Sequence, residues 1–311
     1  MQSKIVILGT GGTIAGTAAH AQDAIGYTAA PLSIHQLVNA VAPLAGLPIE
    51  CEEVAQIDSK DMDFVTWQRL AQRCDFHLAQ VDVAGVVVTH GTDTLEETAY
   101  FLHRVLAPAK PLVLTAAMRP ATSLQADGPQ NLLDAVTLLR GGRVGGVSVV
   151  IAGRAWAGAE VRKQHTHFLD AFDAGDAGPM ALIAASQVDV IRPSPPPTHA
   201  VGLPTIDVDP LSWPRVEIVL NHVGASGCLV DALVQQQVDG LVVAGTGNGT
   251  LSVALEAALQ RAAQTGVRVL RASRCARGAV IGGDEDTVRG AGSLSAVQAR
   301  VELILQLLYA R

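Results

Sequence analysis

The sequence predicts an α/β protein with two parts: a larger N-terminal domain whose mostly parallel sheet is flanked by helices, and a smaller C-terminal α/β domain. Three observations predict it. Apolar, β-rich runs alternate with helical patterns from the start of the chain. Those runs are continuously apolar rather than alternating, which is expected of strands covered on both faces of a parallel sheet. Seven of the fifteen prolines fall between Pro193 and Pro214, including Pro195, Pro196 and Pro197, and they separate one such series from another.

The first strand is expected at 4–9, where Ile5 to Leu8 form an unbroken apolar run that stops at Thr10-Gly11-Gly12-Thr13. Helical patterns follow at 33–42 and 62–80. The run at 84–89 ends abruptly in Thr89-His90-Gly91-Thr92-Asp93-Thr94, and a helix at 94–106 starts at once, with Thr94 as its cap and Glu97 three residues on. Strands at 111–116 and 146–152 enclose a helix at 128–140. Proline at the density of 193–214 sustains neither helix nor central strand, so that stretch reads as a semi-rigid linker between a domain at 1–192 and another at 215–311. In the second domain, strands at 216–221, 239–244 and 267–271 alternate with helices at 226–236, 250–264 and 294–309.

Composition narrows the function. The 311 residues are 49% hydrophobic and only 16% charged, enough for a substantial core. Aromatics at 4% and a net charge of −7 argue against base stacking and against a phosphate-binding surface, so no nucleic-acid partner is expected. No apolar run approaches the roughly 18–20 residues of a membrane span. Met1-Gln2-Ser3-Lys4 leads into a strand without the features of a signal peptide, so a cytoplasmic location is expected, with a processed periplasmic form as the alternative. Cys51, Cys74, Cys228 and Cys275 have no metal-ligand spacing and read as free thiols.

The strand ends carry the chemistry. A dinucleotide fingerprint beginning at Gly9 and Gly11 needs glycine at Ile14, and one beginning at Gly245 and Gly247 needs it at Thr250. Gly11 and Gly16 have P-loop spacing but are followed by Thr17 instead of lysine. A turn built only for packing explains the glycines, not a threonine at the mouth of each turn. Thr94 fits the cap, which leaves Thr92 and Asp93 to face a crevice. No G-x-S-x-G elbow occurs, and His90 reads as structural. His165 and His167 lack a third ligand, so neither metal nor cofactor is expected.

The motifs Thr10-Gly11-Gly12-Thr13-Ile14-Ala15-Gly16, His90 to Thr98, Ala117-Met118-Arg119-Pro120, Ala126-Asp127-Gly128 and Gly247-Asn248-Gly249 occur in one order along the whole chain. In these the chain closely resembles the bacterial L-asparaginases, homotetrameric amidohydrolases with a threonine nucleophile. The resemblance implies Thr13 as nucleophile, with Tyr27 beside it on a lid running from about Gly16 to Pro31. It implies Thr92, Asp93 and Lys163 as a second catalytic group. Gly12, Ser59, Lys60, Gly91, Thr92, Asp93 and Ala117 then line the substrate, with Ser59 and Asp93 on its α-carboxylate and α-ammonium. Asn248 and Glu285 would arrive from a neighbouring subunit, Glu285 by ungapped alignment from Gly278 to Asp284, and Glu285 would count among the catalytic residues.

The implied reaction is L-asparagine to L-aspartate and ammonia, through a β-aspartyl enzyme. A threonine hydroxyl needs a nearby base, and Lys163 serves as one only when desolvated. Backbone N–H groups at the Thr92 turn would hold the oxyanion, each such donor being worth about 2.7–4 kcal/mol. Comparable or preferred glutamine hydrolysis is the alternative within this class; a catalytically silent amino-acid-binding protein is the alternative outside it. Two departures stand out: Lys60 replaces the glutamine or glutamate many relatives carry beside the binding serine, and Pro108 stands near one position of the disulfide found in some exported relatives.

Overall fold

A computed structural model describes residues 3–20, 22, 27–28 (backbone alone), 31–195, 200–282 and 288–311. It divides into two units, residues 1–203 and 204–311. In chain order the first holds β1 (Lys4–Gly11), β2 (Thr17–Ala18), β3 (Tyr27–Thr28), α1 (Ile34–Asn39), β4 (Ile49–Ile57), α2 (Phe64–Leu78), β5 (Val83–Thr89) and α3 (Leu95–Leu106). It continues with β6 (Leu112–Thr115), α4 (Gly128–Gly141), β7 (Val147–Ile151), β8 (Arg154–Ala157), β9 (Arg162–Lys163), β10 (Phe172–Asp173), β11 (Ala181–Ala184) and β12 (Gln187–Val190).

An eight-stranded sheet runs in the order β12-β11-β8-β7-β6-β5-β1-β4. The stretch from β4 through β1, β5 and β6 to β7 is parallel, and β8, β11 and β12 add antiparallel strands at one side. Consecutive residues Val86, Val87 and Val88 are each 0% exposed, so the sheet is covered on both faces, as its unbroken apolar strands require. Ile7, Val87, Val113 and Val150 pack in one core with Ile34 of α1 and Leu132, Val136 and Leu139 of α4. Trp67 of α2 and Phe101 of α3 stack with centroids 4.7 Å apart.

Three expectations need amending. β4 lay outside the predicted strands because Ile49 to Ile57 carries Glu50, Glu52 and Glu53 along a half-exposed edge strand, not a continuous apolar run. Thr94 occupies the N-cap position of α3 but makes no capping bond; its Oγ1 donates instead to the Ser59 carbonyl at 2.8 Å. Within the proline-dense stretch, α5 (Leu203–Ile206) forms one helical turn. Pro204 stands in that first turn, where its missing N–H leaves no helical bond unmade.

The second unit contains β13 (Val216–Leu220), α6 (Cys228–Gln235), β14 (Gly240–Gly245), α7 (Val253–Gln264), β15 (Arg268–Ser273), β16 (Arg289–Gly290) and α8 (Ala296–Tyr309). Its four strands form a parallel sheet in sequence order. Leu241, Val243, Leu255 and Leu259 centre its core. Ser252 and Ser295 cap α7 and α8, Ser295 in a reciprocal box with Gln298. Among the described residues no helix is long and apolar enough to cross a membrane.

Candidate active site

The two threonine-bearing turns leave the carboxyl ends of neighbouring parallel strands. β1 and β5 pair with Gly9 opposite Thr89, and the Thr10 hydroxyl ties the strand ends together by donating to the Thr89 carbonyl at 3.0 Å. Beyond the strands the backbones touch. A Cβ placed on Gly12 would lie 2.3 Å from Gly91 Cα, and one on Gly91 would lie 2.4 Å from Ser59 Oγ. Gly12 also has φ +82°, a left-handed conformation costly for any other residue. Thr13 and Thr92, the residues next to this contact, are both buried at 5% exposure.

Ser59, in a helical turn after β4, braces the second turn: its Oγ accepts the Asp93 N–H at 3.1 Å. With that N–H engaged, Asp93 has no backbone donor left for an oxyanion, a restriction on the expectation drawn from the sequence. Ala117 approaches the first turn through Gly128, where a Cβ would lie 2.9 Å from Ile14 Cγ1 and 3.4 Å from Ala117 Cβ. The Asp127 carboxylate holds that segment by accepting the Met118 and Arg119 N–H groups at 3.0 and 2.9 Å, and Asn131 Nδ2 donates to the Ala116 carbonyl. Burial raises the Asp127 pKa. Sequence reasoning recorded Asp127 as part of a motif and missed this bracing; a lone aspartate before Gly128-Pro129 reads as an ordinary helix start.

Lys163 reaches the same place from β9. Its Nζ lies 2.9 Å from Thr92 Oγ1 and 2.6 Å from Asp93 Oδ1, and its side chain is only 18% exposed while that of Asp93 is 52% exposed. Lys60 does not join them: its exposed Nζ pairs with Asp58 at 2.7 Å. His90 is fully buried. Its Nδ1 donates to the Gly91 carbonyl at 2.7 Å and its Nε2 accepts from Thr98 Oγ1, which itself accepts from Trp67 Nε1. Burial pushes the His90 pKa down to about 4, so the ring is neutral at pH 7 with both nitrogens engaged and no lone pair for proton abstraction.

The structure does not describe every expected residue. Tyr27 is described by backbone alone, paired with Ala18 across β2 and β3, and most of the expected lid lies outside the described residues. Glu285 lies outside them too. Asn248 stands in the second unit on the turn after β14, its amide bonded twice to the Ile281 backbone, at 2.9 and 2.8 Å. Among the described residues no group of three or more His, Cys, Asp or Glu side chains is arranged to hold a metal.

Comparison with known proteins bears on this geometry. Residues 4–196 match the family model "Asparaginase, N-terminal", and residues 215–310 match "Glutaminase/Asparaginase C-terminal domain". The chain is 39% identical to L-asparaginase 2 of Escherichia coli (strain K12), over 98% of this chain and 88% of that one. It is 35% identical to the glutaminase-asparaginase of Pseudomonas fluorescens biotype A, over 90% and 77% respectively. Its fold superposes on the crystal structure of a probable cytoplasmic L-asparaginase from Campylobacter jejuni with a TM-score of 0.88, at 35% identity, covering 98% of this chain and 95% of that one.

Proposed function

The chain belongs to the bacterial L-asparaginase family, an amidohydrolase of linear amides, and from that premise we propose that it cleaves the side-chain amide of L-asparagine with Thr13 as nucleophile. The observation that carries this reading is the meeting of two turns: Thr13 leaves one, and Thr92 with Lys163 and Asp93 occupies the other, across the Gly12–Gly91 contact.

In this mechanism Thr13 Oγ attacks the amide carbon, and its proton passes to a nearby base. The N–H of Thr92, a buried residue of the second turn, donates to the developing oxyanion. Collapse, with the proton taken from Thr13 handed on to the leaving nitrogen, expels ammonia and leaves a β-aspartyl ester on Thr13, and water then cleaves that ester to aspartate and restores the hydroxyl. Thr92 and Lys163 form the proton-handling pair at 2.9 Å, and any proton transfer from Thr92 to Nζ requires the amine in its neutral form. Asp93, half exposed beside Nζ, also offers its carboxylate to the substrate's α-ammonium. A substrate ammonium drawing on Asp93 loosens that carboxylate's hold on Lys163. Ser59 and the Gly12, Gly91 and Ala117 turns shape the floor of the pocket. Asn248 and Glu285 complete it from a neighbouring subunit, so the working form is an oligomer, a homotetramer built from dimers, acting in the cytoplasm.

Steady-state ammonia release tests the reading. Thr13→Ala should lose roughly 10⁴-fold or more in kcat while still binding aspartate, and Thr92→Val should lose on the order of 10²–10⁴-fold. Unchanged turnover in Thr13→Ala discards Thr13 as nucleophile. A folded wild-type protein that binds aspartate and releases no ammonia would support the silent-binder alternative. A second substrate is favoured by the relative named glutaminase-asparaginase, and kcat/KM for glutamine against asparagine ranks the two.

A further inference from the structure

Lys163 sits on a strand of two residues, too short to hold itself. Among the described residues the one strand that pairs with β9 is β10, with Lys163 opposite Phe172. On the next residue the Gln164 N–H points into that pair, donating to the Ala171 carbonyl at 2.7 Å. Successive N–H groups of a strand point to opposite sides, so the Lys163 N–H points away from β10. Its acceptor there is Glu96 Oε1 at 3.3 Å. Glu96 is the second residue of α3, four positions beyond Thr92, so one short segment grips Lys163 at two points: Thr92 at the ammonium and Glu96 at the backbone. An acidic side chain in a first helical turn is ordinarily solvated and favourable to the helix dipole. Glu96 is mostly buried instead, a placement that needs a reason.

We propose that Glu96 is a positioning residue that fixes the Lys163 backbone and thereby sets the distance from Nζ to Thr92. The proposal rests on Thr92 and Lys163 carrying the chemistry assigned above. Without Glu96, the Lys163 N–H loses its hydrogen bond on the side away from β10, and Nζ sits at the end of a four-carbon stem that magnifies any backbone shift. A misplacement of about 1 Å in a reacting group costs up to about 100-fold in rate. Burial also pushes the Glu96 pKa up from 4.5 to about 7. The charged groups acting on it are Glu97 from its own helix and Arg162 and Lys163 from β9. Its proton is therefore exchanged in the neutral range, beside Lys163, and ionisation converts the bond to the Lys163 N–H into a charge-assisted one.

The test compares Glu96→Gln, Glu96→Asp, Glu96→Ala, Lys163→Met and the Glu96→Ala/Lys163→Met pair in the full chain. Glu96→Ala should lower kcat about 10- to 100-fold with little change in KM. Glu96→Gln, whose amide oxygen accepts the same N–H, should recover most of that loss but lack the wild-type inflection in kcat near pH 7. Adding Glu96→Ala to Lys163→Met should cause no further loss, since the two act through one atom pair. If Glu96→Ala does not fold, Glu96→Asp replaces it, its shorter arm failing to reach while Glu96→Gln succeeds. The proposal is overturned by multiplicative losses in the double variant, by equal kcat in Glu96→Asp and Glu96→Gln, or by a Glu96→Gln pH profile superimposable on wild type. A Lys163→Met enzyme with wild-type kcat would remove the assigned Thr92–Lys163 pair as well, which separates that failure from a failure of Glu96 alone.

Discussion

Replacing Gly12 with alanine probes the arrangement on which catalysis depends. The new Cβ would lie 2.3 Å from Gly91 Cα, 2.4 Å from Gly91 N and 2.9 Å from the His90 carbonyl carbon. All three are backbone atoms, so no side chain can rotate out of the way. Restoring ordinary contact near 3.4 Å requires the two turns to separate by about 1 Å. Neither turn moves freely: β1 and β5 are paired just below, and Ser59 also closes on Gly91. The strain therefore falls on the spacing of Thr13 and Thr92, and a 1 Å error there is expected to lower kcat about 100-fold. A further cost of about 1–2 kcal/mol in stability comes from placing alanine at φ +82°.

Gly46→Ala separates the two effects, because Gly46 has φ +83° but nothing within 4 Å of its would-be Cβ. It should lose about 1–2 kcal/mol in urea unfolding and keep wild-type kcat. Gly12→Ala should lose more than Gly46→Ala in stability and, unlike it, lose turnover. Equal stability losses with unchanged kcat in both variants would refute the contact between turns as the origin of the site's geometry.

Three further outcomes are expected. His90 is neutral in the fold with its pKa lowered from 6.5 to about 4, so its contribution is complete above pH 6.5 and is lost as pH falls toward 4; at about 1.4 kcal/mol per pH unit this is about 3 kcal/mol, read as a steeper acid loss of stability than in His90→Gln. Glu96 has the opposite sign: its raised pKa favours the fold below pH 4.5 and that advantage, about 3 kcal/mol, disappears as pH rises through 7, so the stability of Glu96→Gln relative to wild type should climb across that window, and parallel curves would count against it. Asp127→Ala strands the Met118 and Arg119 N–H groups, costing about 1–3 kcal/mol in urea unfolding and raising KM through the Ala117 turn; an unchanged midpoint would show that water replaces the carboxylate.

Much of this was legible in the sequence, for identifiable reasons. β5 and α3 announced themselves because a buried parallel strand must be continuously apolar and must stop where its backbone reaches a crevice. β4 did not, since an edge strand bearing Glu50, Glu52 and Glu53 has neither the run nor a clean alternation. Thr94 shows a different limit. The sequence places a hydroxyl at the N-cap, but whether it bonds to its own helix or to Ser59, 35 positions away, depends on what the fold brings near. Glu96 and Glu97 illustrate the same point: adjacent, chemically identical and both in the first turn of α3, only Glu96 reaches the Lys163 N–H, because helix phase turns one toward β9.

The remaining question is why two turns rather than one. A single strand end can supply a hydroxyl or an oxyanion donor, but the nucleophile's own turn cannot also place a base on the far side of its substrate. Parallel pairing of β1 with β5 solves this, since it delivers two carboxyl ends to the same edge in fixed register, Gly9 beside Thr89. Side chains at that junction would hold the turns apart, and Gly12 against Gly91 removes them. The cost is that neither turn can adjust, so fine positioning passes to residues outside the contact: Ser59 on the Asp93 N–H, Asp127 behind Ala117, and Glu96 on the Lys163 backbone. Substitutions at these braces should therefore lower kcat or raise KM in part while leaving the nucleophile itself intact, a pattern distinct from the near-total loss of kcat expected of Thr13→Ala.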